Sequence, residues 1–314
     1  MRSAVLSLAA LLLFGCEGAI GGDGLGNTGD GTNFTCEGAP FPILLHHGFQ
    51  AGNGEEASNV FDGVADDLRA RGELVIETAV APYQSSEVRG AQLAEDVDRA
   101  LADTGACKVN IIAHSQGGLD ARYMIGSLGY GDVVASVVTI STPHKGTPLA
   151  DIGLGLIPGI SDPLVNAIIA WLRVDSDDPL NDPDIRAALF SFSVARAASF
   201  AEENPDDPRV ARYSVAGRTL GMKADGECAG ALFGNPAARD WPAPLLWPSA
   251  LFLAGANPFN LKANDGAVTV ASAKWGTFLG CLPADHLGVT SGDSSFDQIQ
   301  YYRDLAAFLH DEGF

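Results

Sequence analysis

The sequence predicts an α/β protein with a mostly parallel central sheet flanked by helices and a helical insertion in the middle of the chain. Three observations predict it. Short apolar runs alternate with amphipathic segments over about a hundred residues from position 41, the pattern of βαβ units whose crossovers are right-handed. Residues 109–118, VNIIAHSQGG, pass from an apolar run to a helical pattern through one serine set among small residues. From Asp151 the alternation stops, and glycines, prolines and a strongly apolar helix candidate replace it.

With 314 residues, 46% of them hydrophobic, the chain can bury a large core in one domain or two. Its formal charge is −20, so binding to nucleic acid or an anionic membrane through charge is excluded. Residues 1–15 read as an export signal: Met1 and Arg2 give a positive start and 4–14 an apolar run too short to span a bilayer. The run ends in Leu13-Phe14-Gly15-Cys16, a lipoprotein-like cleavage site with Cys16 as the lipidated residue, simple secretion being the alternative. Residues 16–40, rich in Gly, Asn and Thr, cannot bury a core and read as a flexible tether. Residues 41–314 would form the folded domain, with an insertion at about 151–205.

Taken in order, residues 41–47 (FPILLHH) give a buried strand and then a loop. In 59–70, Val60, Phe61, Val64 and Leu68 fall at helical spacing. Residues 74–80 form a second strand. Ser86 can cap a helix with Val88, Leu93, Val97 and Leu101 on one face. Strands at 109–113 and 133–140 follow, the second ending in the turn 141–146. A helix is expected over 164–172, either in a mobile lid or in extra core, and a strand at 210–216. Residues 236–258, dense in proline and aromatics, read as an irregular surface excursion. Asn264-Asp265-Gly266 is a turn before the β-prone 267–270, and 296–309 closes the chain as a helix.

Four cysteines follow Cys16: Cys36, Cys107, Cys228 and Cys281. Export would place them in an oxidising compartment, where an even number suggests two disulfides. Cys36 with Cys107, each shortly before a strand, leaves Cys228 with Cys281. Three pairings are possible and the spacings alone do not choose among them.

A strand that turns into a helix within two residues holds its central residue in a strained conformation and pushes that side chain out above the sheet. Here the residue is Ser115, with Ala113 and Gly117 two positions either side. A serine hydroxyl is a poor nucleophile until an imidazole can take its proton, and the imidazole needs a carboxylate to fix its tautomer. The chain order serine, acid, histidine is filled by Ser115, Asp265 and His286. His310 reads as a surface residue, His144 precedes the acid, and His46 and His47 suit a structural or oxyanion-loop role. Asp285 adjoins His286 too closely to orient it, and Asp225 is less turn-like than Asp265. The oxyanion of an acyl-transfer intermediate would be held by the backbone N–H groups of Gln116 and Phe49.

The run His47-Gly48-Phe49, the stretch 85–93 (SSEVRGAQL), the elbow 114–118, the turn 142–146 (TPHKG), Asn264-Asp265-Gly266 and Asp285-His286-Leu287 together resemble bacterial triacylglycerol lipases of the Pseudomonas and Burkholderia type. The likeness runs from Pro40 to the C-terminus and is strongest from 41 to 151. It implies an α/β-hydrolase fold, a helical lid over the serine, hydrolysis of acylglycerols, no organic cofactor, the same triad and oxyanion donors, and a disulfide that fits Cys228–Cys281. Two departures stand out. The family's structural calcium is held by two aspartates, one two residues after the histidine and one before a Pro-Ser pair. Gly288 and Trp247 occupy those positions, so the calcium site is expected to be absent. Ala113 replaces the usual glycine before the elbow. The expected activity is that of a serine ester hydrolase, most simply a lipase. A carboxylesterase or polyester depolymerase with the same triad is the alternative, and a non-catalytic surface protein on the same scaffold is the third reading.

Overall fold

Six strands form one sheet in the order β2-β1-β3-β4-β5-β6, every neighbouring pair parallel. They are β1 Ile43–His46, β2 Val75–Glu77, β3 Val109–His114, β4 Val134–Ile140, β5 Ala211–Gly217 and β6 Thr277–Leu282. This computed structural model describes residues 41–49, 60–172, 179–219, 226–233, 241–255, 257, 261–291 and 296–314. All belong to one compact unit, Cys36–Phe314. The expected signal at 1–15, Cys16, the tether at 16–40, Cys36 and Asp225 lie outside them.

The strands are apolar on both faces, as parallel strands covered on both sides must be. Leu44, Ile111, Ala113 and Val137 point to one side, where they meet Leu93 and Val97 of α2 (Ser86–Thr104) and Met124 and Ile125 of α3 (Gly117–Gly126). Ile43, Leu45, Ile112 and Val138 point to the other. There they meet Val64 and Leu68 of α1 (Val64–Ala70) and Tyr302 and Leu305 of α10 (Gln298–Asp311). Each such fully buried aliphatic contributes about 1.5–3 kcal/mol relative to exposure.

Between β4 and β5 the described residues form four α-helices: α4 Pro148–Gly153, α5 Asp162–Leu172, α6 Pro183–Ser191 and α7 Val194–Glu203. A third apolar cluster joins them to the loop after β1. It contains Phe49, Leu149, Ile152, Leu164, Ile168 and Phe192. Between β5 and β6 lie α8 Trp247–Ala254 and the short α9 Val270–Ala273.

Several elements differ from the sequence expectation. Helix α1 begins at Val64, because Phe61 and Gly63 both sit at positive φ (65° and 69°) and cannot be helical. The cap of α2 is Ser85, whose hydroxyl accepts from Val88 N at 3.4 Å, and Ser86 is the first helical residue. Val88 is exposed and Arg89 is buried in its place. Residues 267–270 are not a strand: Asn264 and Thr269 form a single bridge, and the chain enters α9. The sixth strand is instead Thr277–Leu282. Helix α8 stands inside the excursion read as irregular. The Cys228–Cys281 disulfide is formed, and Cys107 is disulfide-bonded as well.

Strand order reverses direction at β1 and β3: from β1 the chain goes outward to β2, then crosses back through α2 to β3. Ligands of open parallel sheets bind at the carboxyl ends of the strands beside such a switch point. The loops that leave β1 and β3 there carry His47-Gly48-Phe49 and Ser115.

Candidate active site

Ser115 follows β3 with φ of 55°, in the left-handed region that a non-glycine residue enters at a cost. Two hydrogen bonds and the helix that follows hold it there. Ser115 N donates to Ile140 O at 2.9 Å, Thr142 Oγ1 donates to Ser115 O at 2.7 Å, and α3 starts at once. Small neighbours are a steric necessity. A Cβ on Gly117 would meet His47 O at 2.7 Å, and one on Gly48 would meet Ser115 Cβ at 2.8 Å. Gly117→Ala is therefore expected to destabilise the fold by about 1–3 kcal/mol through overpacking, read as a lower urea midpoint at unchanged m-value.

Asp265 and His286 arrive on loops after β5 and β6. His286 N donates to Asp265 O at 2.9 Å, which fixes the two loops to each other. Asp265 Oδ1 accepts from Ala267 N (2.9 Å) and Val268 N (2.7 Å), leaving Oδ2 to meet His286 Nδ1 at 2.9 Å. His286 Nε2 stands 2.9 Å from Ser115 Oγ. The three residues, 171 positions apart at the extremes, thus form one hydrogen-bonded chain. Burial pushes the Asp265 carboxyl up. The His286 ring and the Val268 and Ala267 amides more than offset this and leave it below the ordinary carboxylate value. It is therefore ionised at neutral pH and suited to hold an Nδ1–H.

Phe49 follows Gly48, where an added Cβ would meet Ser115 Cβ at 2.8 Å, and Gln116 directly follows Ser115. Gln116 is the N-cap of α3, at the positive end of that helix. Its side chain turns away, donating to Gln84 O (2.8 Å) and Ser86 Oγ (3.3 Å). The Phe49 ring packs edge-on against Tyr83 (5.1 Å) and against Phe192 of the insertion (5.7 Å). Ser115, Asp265 and His286 are only 7%, 1% and 2% exposed, and the insertion reaches the neighbouring oxyanion loop through Phe192. A small cavity lined by Arg122, Asn204, Asp206 and Trp275 contains none of the triad.

Comparison with known proteins bears on the fold that carries these residues. Residues 42–173 match the family model described as alpha/beta hydrolase fold. The protein has the α/β-hydrolase fold. A mature lipase of Bacillus licheniformis superposes with a TM-score of 0.61 at 21% identity, covering 84% of this chain and 91% of that one. A metagenomic carboxyl esterase gives 0.61 at 21% identity, covering 87% and 76%. Such distant likenesses speak to the fold. By sequence, 176 residues are 35% identical to a triacylglycerol lipase of Pseudarthrobacter phenanthrenivorans, 52% of this chain and 54% of that one. A triacylglycerol lipase of Burkholderia plantarii is also 35% identical, over 52% and 48%. The chain thus spans about half the length of the curated relatives it matches.

On this hydrolase scaffold the remaining candidates are placed as follows. His310 lies half-exposed on α10, 3.2 Å from Glu73. His144 is buried against Thr139 Oγ1 (2.9 Å) and Trp275. His114 Nε2 lies 2.9 Å from the carbonyl oxygen of His286, behind the triad. Asp285 accepts from two amides of its own loop and from Ala243 N. Among the described residues, no three His, Cys, Asp or Glu side chains converge as a metal site would require, and no helix is long and apolar enough to cross a membrane.

The residues that sequence reasoning missed lie under the oxyanion loop. Arg89 and Asp120 form an ion pair at 2.8 Å with both side chains fully buried. Arg89 also donates to His47 O (2.7 Å), Gly48 O (3.1 Å) and Ala81 O (2.8 Å). His46 bridges Asp120 Oδ2 (3.1 Å) and Thr78 Oγ1 (2.7 Å). The guanidinium thus holds two carbonyls of the loop that carries Phe49. A signal was present: Arg89, Leu93 and Val97 are spaced four apart, which puts a charge on the buried stripe of α2.

Four of the buried histidines make the fold acid-sensitive. Burial is the leading cause that lowers His46, His47, His114 and His144, the third to about 3. A histidine held neutral in the fold but free to protonate when unfolded favours unfolding as pH falls. The stability it lends is complete above pH about 6.5 and declines towards its folded value, at about 1.4 kcal/mol per pH unit per histidine. Thermal melting is expected to fall steeply from pH 7 to 4.5. A flat profile there would contradict the neutral assignment.

Proposed function

We propose that the protein is a carboxylic ester hydrolase, most simply a triacylglycerol lipase, that works through Ser115, His286 and Asp265. The observation that carries the reading is the continuous chain Ser115 Oγ, His286 Nε2, His286 Nδ1, Asp265 Oδ2, each link 2.9 Å. As Ser115 Oγ attacks the ester carbonyl carbon, its proton passes to His286 Nε2. Asp265 holds Nδ1–H and steadies the imidazolium. The carbonyl oxygen gains charge facing the N–H groups of Phe49 and Gln116, each such donor being worth about 3 kcal/mol of barrier. His286 returns the proton to the leaving alcohol, giving an acyl-serine. A water then loses its proton to His286, displaces the serine and releases the carboxylic acid.

The substrate class follows from the covering. A bulky ester cannot reach a serine only 7% exposed, so the helices between β4 and β5 are assigned as a lid that must open. Leu156 just after α4, Phe190 (47% exposed) of α6, and Leu251 (58%) and Phe252 of α8 are exposed apolar side chains, suited to a lipid–water interface. The leader at 1–16 suits export or anchoring through Cys16. A carboxylesterase or polyester depolymerase has the same chemistry but needs no interface. Nitrophenyl esters of graded chain length, tested below and above their solubility limits, separate the readings. The lipase reading expects a rise in rate when long-chain substrate aggregates. Activity confined to short, monomeric esters overturns it.

A further inference from the structure

We propose that Asp285 is a positioning residue: its carboxylate fixes the loop of the base His286 to the segment before α8, in the place where the resemblance to lipases would put a calcium ion. The inference rests on the reading of His286 as the base. Asp285 Oδ1 accepts from Leu287 N at 3.0 Å and Gly288 N at 2.7 Å, and Oδ2 accepts from Ala243 N at 2.7 Å. One side chain therefore closes its own loop and ties it to residue 243, 42 positions away. The same segment reaches the other triad loop. Ser249 Oγ donates to Gly266 O at 2.6 Å, Asn264 Nδ2 donates to Ala250 O at 3.2 Å, and the Leu246 side chain fills the space beside Gly266. Residues 243–250 thus brace the Asp265 turn and the His286 loop at once.

The donor set does not fit calcium, which needs six to eight oxygen ligands. Gly288 turns an N–H, not an oxygen, towards the loop's one carboxylate, and Trp247 offers no oxygen side chain. Both oxygens of Asp285 are already taken by three amide donors. The histidine loop is held here by a carboxylate with N–H groups around it.

The test uses the full chain and two variants. Asp285→Asn keeps an acceptor for Leu287 and Gly288 but turns an NH2 towards Ala243 N, so it breaks the tie alone. Asp285→Ala removes everything. Both are expected to lower kcat about 10- to 100-fold with KM within about twofold, because a base displaced by a fraction of an ångström loses rate, not binding. The Nδ1–H proton resonance of His286 should broaden or move in both. Dialysis of the wild type against EDTA should leave kcat and melting temperature unchanged. The proposal is overturned if EDTA lowers the melting temperature and calcium restores it. It is overturned equally if Asp285→Asn lowers melting alone and leaves kcat, measured well below the melting temperature, and the His286 resonance untouched. Should the wild type hydrolyse no ester, the functional reading fails, and the resonance and melting arms still decide the role of Asp285.

Discussion

Ser115→Ala is expected to lower kcat on a soluble nitrophenyl ester by about 10⁵- to 10⁶-fold, roughly 7–8 kcal/mol of barrier, with the fold intact. The substitution removes one oxygen. The elbow should hold, since Thr142 Oγ1 still donates to the carbonyl of residue 115 and Gly117 and Gly118 are unchanged. The imidazole keeps its 2.9 Å contact with Asp265. What is lost is the only atom positioned to be deprotonated. Asp265→Asn should cost about 10⁴-fold, because the amide would favour the wrong tautomer of His286. Combining the two should cost little more than Ser115→Ala alone, since groups that act as a unit are not additive. Steady-state kinetics with circular dichroism to verify folding would check all three. A variant lacking Ser115 that retains a tenth of the rate would contradict the assignment.

Breaking the ion pair under the oxyanion loop is expected to have the next largest effect. Arg89→Met leaves Asp120 buried with only His46 near it, and Asp120→Leu leaves the guanidinium of Arg89 without a counter-charge. Either should cost about 3–5 kcal/mol of unfolding free energy, the usual result of stranding one buried charge. The double replacement should recover most of that loss, because a buried ion pair and a well-packed apolar pair of like volume are close in stability. Activity should not recover with it. The carbonyls of His47 and Gly48 would lose the donor at 2.7 and 3.1 Å that holds them, and the loop that carries Phe49 would lose that anchor. Urea denaturation and kcat on the three variants separate the two consequences. Equal recovery of both would show that Arg89 serves stability alone.

Local signals made the first half of the fold legible. Strands β1, β3 and β4 are continuous apolar runs, and the face of α2 carrying Leu93 and Val97 recurs at helical spacing. Ser115, Asp265 and His286 could be chosen because each needs a recognisable turn and a fixed chain order. Other features depend on distant partners and were not legible. Strand β6 contains Gly280 and follows Trp275-Gly276, so nothing in its six residues exceeds the β-signal of 267–270. It becomes a strand by pairing with Tyr213–Gly217 of β5. The late start of α1 comes from positive φ at Phe61, which sequence favours for no phenylalanine. Arg89 was masked by its neighbour: Val88 is the apolar residue, yet the charged one goes inside to meet a partner 31 positions later. The carboxylate of Asp285 was set aside because it cannot orient its own neighbour, and its contact with Ala243 appears only once the excursion folds back.

The central claim is that Ser115 is made nucleophilic by His286 and Asp265. A fluorophosphonate reads this directly, because it reacts with activated serines whatever ester the protein prefers. Intact-mass spectrometry with peptide mapping should show one equivalent, placed on Ser115, and His286→Ala should abolish the adduct. A folded wild-type protein that stays unlabelled, or carries the label on another residue, would contradict the account.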